Sequence, residues 1–125
     1  MSATTTKTAA TAPKMPVFTT SAAMTLLWKK AALKLQTDEL EWFADGAGNE
    51  VNTQTHSMAD FLMALGRMVG SDTESGSFQD ADDVSNLLYS LSHQLSTLNG
   101  LANIAVDANY LVRMAHEKAM YSGEN

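Results

Sequence analysis

Residues 80–120 read DADDVSNLLYSLSHQLSTLNGLANIAVDANYLVRMAHEKAM, and the fold turns on whether this is one helix or two. Asp80, Asp82 and Asp83 gather negative charge where a helix dipole favours it, at the start. Behind them Val84, Leu87, Leu88, Leu91, Leu95 and Leu98 form an unbroken apolar stripe. Asn99-Gly100 then reads as a helix stop and tight turn. The stripe nevertheless resumes in phase, because Leu101, Ala105, Ala108, Val112, Ala115 and Ala119 keep the spacing of about 3.5 residues that begins at Val84. A hairpin has no need to hold phase through its turn. The phase therefore favours a single helix that tolerates Gly100 at a cost of about 1 kcal/mol, with a helical hairpin broken at Gly100 as the alternative. One helix over these residues would be roughly 60 Å long, more than a small compact domain can cover.

Upstream, Ser57-Met-Ala-Asp60 resembles a capping box with Asp in place of Glu, and Met58, Phe61, Leu62, Leu65 and Val69 follow at helical spacing up to Gly70. This predicts a helix over 57–69. The segment GAGNEVNTQT (46–55) and the segment SDTESGS (71–77) read as loops. Before them Met24, Leu27, Trp28, Ala31 and Leu35 mark an amphipathic helix that Thr20 or Ser21 can cap. Thr37 with Asp38, Glu39 and Glu41 looks like a second start, leading to Leu40 and Phe43 and an end at Gly46, so 22–45 is either one helix or two broken near Thr37. Residues 2–16 are mostly Thr, Ala and Lys and hold both prolines, so residues 1–17 are expected to be a flexible arm. The expectation is all-α: three to four helices in one domain over 18–125, the last of them long.

Charge is unevenly placed within a net of −6. Residues 1–37 carry +5 with no acid, residues 38–83 carry −10 with Arg67 as their single base, and residues 84–125 carry −1. A nucleic-acid-binding domain normally shows a basic stripe and high pI, so direct nucleic-acid binding is not expected. The absence of cysteine removes disulfides, thiolate chemistry and cysteine-ligated zinc. No apolar run approaches the roughly 18 residues of a membrane span, and the first residues lack the apolar core of a signal peptide, so a cytoplasmic protein away from membranes is expected.

Chemistry is not announced. His56, His93 and His116 make no helical metal pair. His93, four residues after Tyr89, reads as a half-buried hydrogen-bonded side chain, and the methionines read as core filler. Ser85, Ser92 and Ser96 lie within a helix, not on a nucleophile turn, and the glycines build no phosphate-cradling loop. No catalytic, cofactor or metal residue is therefore assigned. The candidates are surfaces: Leu87, Leu91, Leu95, Leu98, Ala105 and Val112 as an apolar seam for a second copy, and Asp38, Glu39, Glu41 and Asp45 as an acidic surface.

In its leucine and alanine spacing, the 80–120 stretch resembles the C-terminal helix of small uncharacterised helical proteins of proteobacteria and their prophages. The resemblance covers about a third of the chain and implies a bacterial or phage setting, with no activity to carry over. Taken together, these features predict a non-enzymatic interaction or regulatory protein, working as a homodimer and meeting a protein partner. The alternative is a mobile-element inhibitor, anti-CRISPR-like, that presents the acidic surface to a host nucleic-acid-binding complex.

Overall fold

The computed structural model describes residues 14–71 and 81–123. They form three α-helices: α1 (Thr20–Ala31), α2 (Thr37–Ser71) and α3 (Ala81–Ser122), with a single 3-10 turn, Ala32–Lys34, between the first two. No strand occurs among the described residues. The expected N-terminal arm divides accordingly. Residues 1–13 lie outside the described set, and Lys14–Thr19 have no regular structure.

Local chemistry explains the starts. Thr19, one residue before the two predicted candidates, caps α1, its hydroxyl accepting from the Ala22 N–H at 3.0 Å. The chain then breaks ahead of Thr37. Leu35 turns to extended backbone (φ −76°, ψ 145°), and the Glu39 carboxylate reaches back to accept from the Gln36 N–H at 2.8 Å. That is half of a capping box, with acids at the positive end of α2.

Two expectations are corrected in α2. The predicted loop at 46–55 is helix, and 57–69 is no separate element but the far half of a helix that runs unbroken from Thr37 to Ser71. Ser57 and Asp60 are therefore exposed interior positions and cap nothing, and Gly46 ends no helix. The cause is tertiary. Leu40, Ala44 and Ala47 share one core with Ile104, Ala105 and Ala108 of α3, and packing of that face outweighs the weak helix propensity of GAGN. Of the second predicted loop only Ser71 is described, as the last residue of α2; residues 72–77 lie outside the described set.

The long reading of α3 holds: one helix crosses Asn99-Gly100. α2 runs antiparallel to it, as the contact of Glu41 with His116 at one end and the shared groove of Leu62 and Leu95 further along require. α1 is parallel to α3. The Ser21 N–H donates to Ser96 Oγ at 3.3 Å, the Asn99 amide donates to Ser21 Oγ at 3.2 Å, and Leu33 lines a groove with Tyr110 and Leu111. At 1.5 Å per residue α1 is roughly 18 Å long, against roughly 52 Å for α2 and 63 Å for α3. The first helix therefore covers only the end of the hairpin beyond Ser96.

Gly100 sits where α1 crosses closest. A Cβ built there would lie 2.9 Å from Met24 Sδ and 3.3 Å from Ser21 Cα. Met24 Sδ is the movable end of a side chain, so the contact with the Ser21 backbone decides whether the usual gain from removing a helical glycine survives. Gly100→Ala should gain about 1 kcal/mol of helix propensity but lose more by pushing α1 outward, for a net destabilisation of about 1 kcal/mol in urea unfolding. A clear stabilisation would show that α1 does not press on this position.

Candidate interaction surfaces

The core that α1 closes is built of small side chains. Trp28, Leu40 and Ile104 are its only large buried members, beside Ala32, Ala44, Ala47, Ala105 and Ala108. Small residues on facing helices let the backbones approach, and Ala108 is fully enclosed at 0% exposure. Trp28 fills the third side, meeting the Phe43 ring edge-on at 5.2 Å between centroids and 64° between planes. No polar or charged side chain is buried among the described residues.

The six seam residues therefore separate. Leu98 (6% exposed) and Ala105 belong to the chain's own interior, Val112 packs against the core, and Leu87 and Leu91 are half-buried. Leu95 stands 55% exposed. The premise that the seam outruns the helices available to cover it is corrected, because α2 has 35 residues and lies along it. What remains open is not the seam but its flanks.

On one flank α1 packs over the α3 residues Gly100, Ile104 and Leu111. On the other, a groove of about 420 Å³ runs between Thr55, Ala59 and Leu62 of α2 and Leu95, Asn99 and Ala102 of α3. Its walls are almost wholly apolar and include no α1 residue, with Asn99 at the rim donating to Ser21 of α1. Phe61, Val69 and Leu88 are also exposed in this half of the hairpin.

The acidic residues lie at the opposite end. Asp38, Glu39, Glu41 and Asp45 are all exposed on the first turns of α2. Two of them have partners within the chain: Glu39 caps α2, and Glu41 Oε1 lies 3.1 Å from His116 Nε2. With both side chains well exposed, that contact adds little to stability. Between them Trp42 is 70% exposed, its ring edge-on to Phe43 at 5.0 Å, over a groove of about 410 Å³ that Leu35, Asp38 and Glu39 complete. The sequence reading missed Trp42, because an aromatic beside acids and next to Phe43 looks like one more core position.

The histidines and methionines also depart from expectation. His93 is exposed, and His56, inside α2, places Nδ1 2.9 Å from the Asn52 carbonyl oxygen. Met63, Met68, Met114 and Met120 are exposed, and Met58 is half-buried, so most of the methionines line surfaces rather than fill a core. Among the described residues no three His, Asp or Glu side chains converge in a way that could hold a metal ion, and no helix is long and apolar enough to cross a membrane. No protein-family model, curated protein or solved structure matches this chain, so the geometry of its own surfaces carries the functional argument.

Proposed function

We propose that this protein is a non-enzymatic interaction protein that acts through its helical surfaces, as a cytoplasmic homodimer. One observation carries the reading: large apolar side chains stand exposed along the hairpin while mostly alanines fill the core. Exposed apolar surface that is contiguous rather than scattered marks a contact region. Light scattering on the purified chain is the test. The expected mass is twice 13.5 kDa at about tens of micromolar protein, and a monomer throughout that range would remove the homodimer.

A second reading is favoured by Trp42. An exposed indole that shares its groove with Asp38 and Glu39 suits a basic partner, whose lysine or arginine would meet both the ring face and the carboxylates. An inhibitor carried by a mobile element, blocking a basic groove of a host nucleic-acid-binding complex, is the concrete form of this reading. Reversing Asp38, Glu41 and Asp45 to lysine should then weaken capture of the basic partner and flatten its salt dependence. Unchanged capture would remove the acidic surface from consideration.

A further inference from the structure

We propose that a second copy of this chain docks, antiparallel, on the flank of the α2–α3 hairpin opposite α1. This rests on the homodimer reading and names its surface. Seven-residue steps define the flank. Thr55, Leu62 and Val69 of α2 face Ala102, Leu95 and Leu88 of α3, in the register that the Glu41–His116 contact sets two heptads earlier. Outside these inner rows run Asn52, Ala59 and Gly66 on α2 and Ser85 and Ser92 on α3, the latter row ending at Asn99, whose amide ties it to Ser21 of α1. Not one residue of the four rows is charged, although residues 38–83 together carry −10. The acids and Arg67 of this half of α2 occupy other faces. Depletion of charge beside apolar and small side chains distinguishes the centre of a protein interface from ordinary surface.

Shape identifies the occupant. Large side chains, Leu62, Val69, Leu88 and Leu95, ridge the end of the flank near the hairpin tip, whereas Thr55, Ala59 and Ala102 leave a trough further in. A two-fold axis crossing the hairpin at the level of Ala59 sets the ridge of each copy into the trough of the other, an isologous contact in which one surface serves both sides. A parallel pairing would press ridge on ridge and bring the two acidic tips, with Asp82 and Asp83, together. The area is sufficient. Rows spanning about 26 Å along two helices, each about 10 Å across, present a face of roughly 500 Å² in projection. Side-chain relief raises its accessible area towards the about 800 Å² that each partner contributes to a stable complex.

The chain has no cysteine, so a single introduced thiol reports position cleanly. Ala59→Cys, close to the axis, should form an intermolecular disulfide under mild oxidation. Ser57→Cys, on the other flank at the same height, should not. Leu62→Asp and Leu95→Asp should each raise the dimer Kd by about 30-fold or more while far-UV circular dichroism at high concentration stays helical. A wild-type monomer would overturn both the homodimer reading and this surface. A wild-type dimer that survives both aspartates and cross-links through Ser57→Cys would overturn this surface and leave the homodimer standing. A chain that becomes dimeric only after removal of residues 1–18, whose Val17 and Phe18 are exposed just ahead of α1, would assign the flank to the chain's own N-terminal segment and overturn the proposal.

Discussion

Replacing Trp28 with alanine should lower the unfolding free energy by about 3–5 kcal/mol, more than any other truncation in the chain. The reason lies in what surrounds it. Five of the eight residues of the core cluster are alanines, so little apolar volume is present to collapse into the space an indole leaves. Trp28 also holds α1 to the hairpin, through Phe43 on one side and Ile104 on the other. Small domains are stable by about 5–15 kcal/mol, so the loss should be visible as a large fall in the urea midpoint and as release of α1. Trp42 supplies the control. It is the only other tryptophan, and Trp42→Ala at an exposed site should change stability by no more than about 1 kcal/mol. In a Trp42→Phe background Trp28 fluorescence reports the core alone, and a blue-shifted emission that moves red with α1 release would check the assignment. Equal costs for the two tryptophans would mean that α1 is not anchored as described.

The helices were legible to different degrees, for reasons that particular residues make clear. α3 could be read because its apolar positions keep heptad phase through Asn99-Gly100, and phase is a long-range property that a local turn signal does not erase. The space for Gly100 could not be read, since it depends on Met24 and Ser21, more than seventy residues earlier. α2 was misread in its middle. GAGNEVNTQT contains the residues that favour turns, and its seam positions, Ala47 and Val51, are too small or too sparse to stand out. They matter because small partners face them on α3, which only the paired helices reveal. The candidate surfaces followed the same division. Leu98 and Ala105 carry the strongest periodic signal and for that reason belong to the chain's own core, whereas the open flank lies one heptad position aside, where leucines alternate with serine, glycine and alanine. Periodicity finds the face that a chain buries first. A second face, covered by another molecule, leaves a fainter pattern whose clearest mark is the absence of charge.

Gly46 and Gly48 allow the misread segment to be tested with a large and signed effect. Both lie inside α2, neither has a left-handed backbone, and a Cβ added at either would meet nothing within 4 Å. A helical glycine with open space around it contributes only its excess backbone entropy in the unfolded chain, so alanine should stabilise by about 1 kcal/mol at each site. The two positions point to nearly opposite sides of the helix and a Cβ at either meets nothing, so the double substitution should gain about 2 kcal/mol. Because the change acts chiefly on the unfolded chain, the urea midpoint of Gly46→Ala/Gly48→Ala should rise with little change in slope. Were 46–55 a loop, its glycines would be the residues that take positive φ, and the same double substitution would destabilise. The sign of the effect therefore separates one 35-residue helix from two short ones. It also bears on the dimer surface, since only an unbroken α2 holds Thr55, Leu62 and Val69 on one flank in step with Ala102, Leu95 and Leu88 of α3.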